Sequence, residues 1–146
     1  MFDRSLAFGE KRLAATLSRN LDLPPERALD LLRRHGLRSS GDEIGETITE
    51  LLQPDFQQLA HEVNRVLIYF ASQTHGGAVD SIYLAGSIAR HPGAAEHISR
   101  MLGMPVRILN PWTLPGSNPD DVIEPPAGMA VAAGLALRDL ARRAGN

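Results

Sequence analysis

Apolar residues recur every three or four positions over the first half of the chain and fall into short runs over the second. That switch divides the molecule. Leu13, Leu17 and Leu21 are spaced by four after Gly9 and mark one helix. Pro24, Pro25 and Glu26 open a second, and Gly36, after Arg33, Arg34 and His35, closes it. Together they predict a helical hairpin over residues 10–36. Gly41 and Asp42 begin a third pattern. In it Ile44, Ile48, Leu52, Phe56, Leu59, Val63, Val66 and Phe70 step by three or four as one apolar stripe. Pro54 lies inside this stripe and is expected to kink or restart the helix, which ends between Gln73 and Gly77. Such a stripe is either the buried face of a long helix or a coiled-coil seam for a partner, and burial against a sheet is the favoured reading.

Near Ser81 the period changes. Ile82, Tyr83, Leu84 and Ala85 form an apolar run of strand length, ending in the small residues Gly86 and Ser87. Residues 93–102 read as a helix with Ala94, Ile98 and either Met101 or Leu102 inward, closed by Gly103. From Pro105 to Leu109, Val106 and Ile108 alternate with Arg107 as a second strand. The separation of the two strands suits a parallel βαβ crossover. A loop rich in proline, glycine and aspartate follows, to Glu124. A last helix is predicted from Pro125 to near Arg143, kept thin by Gly128, Ala130, Ala132, Ala133, Gly134 and Ala136. Residues 4–8 read as a short strand or an entry segment. Two or three strands make a small sheet, so this α/β chain reads as a lobe of something larger, or as a domain completed by association.

Composition narrows the function classes. The 146 residues favour a single domain. Net charge is −2, which argues against general nucleic-acid affinity. There is no cysteine, so disulfides and thiolate metal sites are excluded, which fits a cytoplasmic setting. No apolar run reaches the ~18 residues of a spanning helix, so no direct membrane insertion is expected. No secretory leader pattern opens the chain at Met1.

Candidate chemistry is sparse. No glycine-rich loop ends in Gly-Lys-Ser/Thr, and no Ser-His-Asp or Cys-His constellation is visible, so no catalytic residue is assigned. The histidines at 35, 61, 75, 91 and 97 lack zinc-helix spacing, and no metal site is expected. His91, in a turn, reads as solvated. Asp42, Glu43 and Glu46 suit a helix N-terminus. Asp120, Asp121 and Glu124 are a possible cation cluster better read as turn and cap chemistry. Trp112, the sole tryptophan, reads as core cover ahead of a partner anchor. The most informative feature is the strand running into Gly86-Ser87, with a helix opening after His91, Pro92 and Gly93. Glycine and serine there let a ligand or another backbone come close, and helix N–H groups lie near.

In order, these motifs resemble a known family. Ile82 to Ser87, then Pro92-Gly93, then Leu102, Gly103 and the Pro105-Val106 pair, then Asn110-Pro111-Trp112, then Met129 to Arg138 are similar to the C-terminal region of PilM-type proteins, including the MshI branch. Leu13 to Gly36 resembles the family's lobe II helical subdomain, and Glu62 to Arg65 resembles a segment of its long connecting helix. The resemblance implies part of an actin-like, ribonuclease-H-type fold: one lobe-II-like unit over 1–146, with a helical subdomain at 1–40, a connecting helix at 41–75, and a βαβ unit plus C-terminal helix at 78–146. Gly86 and Ser87 would be a vestigial adenosine-binding turn. Aligned on Ala28, the places of the base-clasping glutamate and lysine are Leu29 and Leu32; a shift of one residue brings Asp30 and Arg33 there instead. The family's phosphate-holding segments have no counterpart in these residues.

The resemblance therefore implies a scaffold module of MSHA-like type IV pilus biogenesis rather than an enzyme. It would be cytoplasmic, peripheral to the inner membrane, and partnered by pilus inner-membrane assembly proteins, with self-association also expected. No cofactor is expected, ATP being possible only in a longer chain. In the family a partner's N-terminal tail docks on lobe I, a surface these residues would not carry. The alternatives are an ATP-binding lobe of an actin-like ATPase, or a type II secretion L-type protein, against which the lack of a span after Arg138 counts.

Overall fold

The computed structural model describes residues 5–38, 41–110 and 130–135. The helical hairpin forms as expected, from α1 (Glu10–Leu21) and α2 (Pro25–His35). Asp22 takes a left-handed conformation to end α1, and Ser18 Oγ donates to the Leu23 carbonyl at 2.6 Å to fix the turn. Pro25 starts α2 where its missing N–H has no intrahelical partner to lose. Leu13 and Leu17 of α1 and Ala28 and Leu32 of α2 are fully buried.

Asp42 caps α3 (Glu43–Gln73), accepting from the Ile44 and Gly45 N–H groups at 3.1 and 3.2 Å and lying 2.9 Å from His35 Nδ1. The acidic cluster expected at a helix start is thus a cap. The break expected at Pro54 does not occur, and α3 runs through it without interruption. Pro54 and Glu50, whose carbonyl the proline leaves without its usual donor, are both exposed, so water can take the vacant bond. The continuous buried stripe is also shorter than its sequence pattern. Ile48, Leu52 and Phe56 are buried, but Ile44 is 47% exposed, and from Val63 onward the face is only half-covered. Near its end Ile68, Tyr69 and Phe70 all stand exposed. A helix apolar on every side is one built to be covered on several sides.

The core joins the hairpin and the first half of α3 to Leu37, Ile88, Ala94 and Ile98. Across the α1–α3 contact, buried Asp55 accepts from Arg12 Nε at 2.6 Å and Thr16 Oγ1 at 2.8 Å, which satisfies the carboxylate inside the interface. Phe8 meets the Phe56 ring edge-on at 5.3 Å, so residues 5–8 serve as an entry segment and form no strand.

The two expected strands, β1 (Ile82–Leu84) and β2 (Val106–Ile108), pair in parallel, with Tyr83 opposite Arg107. They are joined through α4 (Ala94–Leu102), whose Ala94 and Ile98 face the core with Met101 and Leu102 half-buried beside them. Among the described residues the sheet stays at two strands. Residues 130–135 are helical, within the predicted final helix; the rest of that helix, the 111–124 part of the loop and Trp112 lie outside the described residues.

Candidate functional site

The turn after β1 is built by glycine geometry. Gly86 has φ +87°, and a side chain there would meet open space, so the backbone is approachable at this point. Ser87 follows, and its carbonyl accepts from Arg90 N–H at 3.2 Å, closing one 3₁₀ turn over Ile88–Arg90. Buried Ile88 and Ala89 pin that turn to the core.

The hairpin docks on this turn, backbone to backbone. Leu37 N–H donates to the Pro92 carbonyl at 2.7 Å. A Cβ at Gly36 would lie 2.1 Å from that same oxygen, and a Cβ at Gly93 would lie 2.7 Å from the Leu37 oxygen. Both positions need glycine for close approach. Beside this contact Glu10, Arg33, Arg90 and His91 line a cleft of about 250 Å³. Arg33 grips Glu10 with Nε–Oε1 3.2 Å and Nη2–Oε2 3.3 Å, and His91 Nε2 lies 3.2 Å from the same Oε1.

His91 is therefore not the solvated turn residue its sequence position implies. It is 3% exposed, because the docked hairpin covers the turn that carries it. Glu10 has no local spacing linking it to His91, and only the docking of α1 brings them together. At the clasp positions, Leu32 is fully buried in the core and Leu29 is half-buried. Leu32 thus points away from any ligand. The neighbouring Arg33 reaches the cleft, whereas Asp30 pairs with Arg34 at 3.0 Å along the same helix. Of the two registers, the one-residue shift is the one that places a polar α2 side chain in the cleft.

Burial pushes the Glu10 carboxyl up, but the hydrogen bond and charge of Arg33, aided by His91 and Arg90, outweigh it and hold the group below its ordinary value. Burial dominates at His91 and lowers its pKa, against the opposing pull of Glu10 and the Leu32 carbonyl. His97 is lowered by burial and then by Arg100. The unfolded chain protonates both near pH 6.5 while the folded chain keeps them neutral further into acid. The unfolded state then binds more protons, so stability falls as pH drops through this window. Thermal melts between pH 7.5 and 5.5 are expected to show a Tm decrease of a few degrees, and His97→Phe to flatten that slope. A Tm constant or rising toward pH 5.5 would contradict the buried, neutral placement of the two rings.

Among the described residues no group of three or more His, Asp or Glu side chains could hold a metal ion, and no helix is long and apolar enough to cross a membrane. The Asp120, Asp121 and Glu124 cluster lies outside the described residues.

A family model described as type IV pilus assembly protein PilM matches residues 1–140. The chain belongs to the PilM family. A solved chain from a PilM–PilN type IV pilus biogenesis complex is similar in fold, with a TM-score of 0.71 at 25% identity. That similarity covers 92% of this chain and 38% of the solved one, so the chain spans well under half the length of that solved chain. No curated protein matches. Gly86 and Ser87 form the turn expected of them, but neither lines the cleft of Glu10, Arg33, Arg90 and His91.

Proposed function

We propose that these residues form a scaffold module of type IV pilus biogenesis, without bound nucleotide, at the cytoplasmic face of the inner membrane. In this reading they are the second lobe of an actin-like fold in an MSHA-like system. The observation that carries it is the family match over residues 1–140, supported by the fold similarity to a chain solved in a PilM–PilN complex.

The residues of the cleft fit a nucleotide poorly. Its two strongest polar groups, Glu10 and Arg33, are already bonded to each other, and the Glu10 carboxylate, held ionised, would oppose phosphate charge. Phosphate binding needs converging N–H donors and cations, and the cleft offers Arg33 and Arg90 beside that carboxylate. The rival reading, an ATP-binding lobe, draws on the open approach to Gly86 and on Arg33.

Recruitment is tested by flotation. The chain is mixed with inner-membrane vesicles from cells that make, or lack, the pilus inner-membrane assembly proteins. It is expected to float only with the first, by contacts other than the tail-docking surface expected on the other lobe. Equal flotation with both, or with neither, would contradict the scaffold reading. Self-association through the exposed Ile68, Tyr69 and Phe70 of α3 belongs to the same proposal, and sedimentation of the free chain before mixing reads it.

A further inference from the structure

The groove between α3 and α4 has no part in the cleft described above. It encloses about 630 Å³ and is lined along α3 by Gln53, Gln57 and Asn64, and along α4 by His97, Arg100 and Met101. The three amide side chains fall on one face of α3, and at 1.5 Å per residue the row is about 16 Å long. None of the three has a hydrogen-bond partner among the described residues, and Arg100 has no ion-pair partner there. The His97 ring is 9% exposed and packs edge-on against Phe56 at 4.8 Å, and its buried Nε2 has no partner. A buried polar atom without a partner is uncommon in a finished surface.

We propose that this groove binds an extended polypeptide segment carrying a carboxylate that pairs with Arg100. A side-chain amide offers one acceptor and a donor group, as a peptide unit does, so a row of amides matches a peptide backbone. About five extended residues at ~3.3 Å each span the row. Sugars prefer the face of a Trp, Tyr or Phe ring, and the groove lining has none of the three. Nucleic acid is disfavoured by the net charge of −2 and by a lining that holds a single arginine together with Glu50, which suits one carboxylate rather than a run of phosphates. Arg100, unpaired and exposed, selects an acidic residue, while Ala60 and Met101 supply a small adaptable apolar contact. The proposal deepens the scaffold reading by giving it a docking surface.

The test is selection of phage-displayed random peptides, about 12 residues long to exceed the row, on the immobilised chain. Binding of the enriched peptides is then measured by fluorescence anisotropy. Acidic sequences are expected to be enriched, and Arg100→Glu to weaken them at least about tenfold. Gln57→Ala and Asn64→Ala should weaken them a few-fold, with unchanged circular dichroism. Enrichment without acidic residues, no enrichment, or equal binding to Arg100→Glu would overturn the proposal. These outcomes leave the flotation result standing, so failure of the groove and failure of the scaffold reading are distinguishable.

Discussion

Replacing Phe56 with alanine is expected to remove a large part of the stability of the fold, about 3–5 kcal/mol. Phe56 is 1% exposed on the buried face of α3. Its ring meets Phe8 of the entry segment at 5.3 Å and His97 of α4 at 4.8 Å, so one side chain ties three parts of the chain together. Truncating such a residue costs about 3–5 kcal/mol, from lost transfer energy and from the cavity left behind. Domains of this kind are stable by only about 5–15 kcal/mol, so the loss is a large fraction of the total. Urea denaturation followed by circular dichroism checks it. A loss below about 1 kcal/mol would contradict the central place given to this ring.

Gly36→Ala is expected to detach the hairpin from the turn that carries His91. The added Cβ would lie 2.1 Å from the Pro92 oxygen and 2.9 Å from its carbonyl carbon, both backbone atoms that cannot swing aside. Gly36 also holds φ +67° and ψ −146°, a conformation that side chains resist. The backbone strain alone is worth about 1–3 kcal/mol, and relieving the contact must lengthen the 2.7 Å bond from Leu37 to Pro92. Hydrogen exchange at the Leu37 amide should rise sharply in the variant. Gly9→Ala, at φ 167° with nothing within 4 Å, is the control and is expected to change stability by less than about 1 kcal/mol. Full protection of Leu37 in Gly36→Ala would contradict the docked geometry.

Much of the framework was legible because its signals are local. The spacing of Leu13 and Leu17, Pro25 at a helix start, the Asp42 cap and the short alternating runs around Tyr83 and Arg107 each depend on neighbours along the chain. What was not legible depends on distant partners. Periodicity made Phe70 look like Phe56, but Phe56 is covered by α4 and Phe70 is not. Pro54 was a break by rule and is absorbed because its side of α3 is exposed.

The candidate site divides the same way. Gly86 and Ser87 were visible as a small-residue turn at a strand end, and the turn is there. The cleft beside it was not, because Glu10 reaches it only through the docking of α1. Its α2 side chain, Arg33, is reached only by a one-residue shift in register, since facing direction at Leu32 and Arg33 depends on which side of α2 the core takes. The solvated reading of His91 fails for the same reason, since Glu10, Leu32 and Arg33 reach it only through the docking of the hairpin.

Titration calorimetry of the 146-residue chain with Mg-ATP, and separately with adenosine, tests the nucleotide-free scaffold account most directly. Micromolar affinity requires about −8 kcal/mol. A turn at Gly86-Ser87 and a cleft whose carboxylate and guanidinium are bonded to each other supply at most stacking and one or two hydrogen bonds, enough to offset the entropy of association only near millimolar concentration. No heat of binding is expected for either ligand up to about millimolar concentration. A dissociation constant in the low micromolar range for Mg-ATP or adenosine, lost in Gly86→Val, would contradict it and assign these residues to a nucleotide-binding lobe.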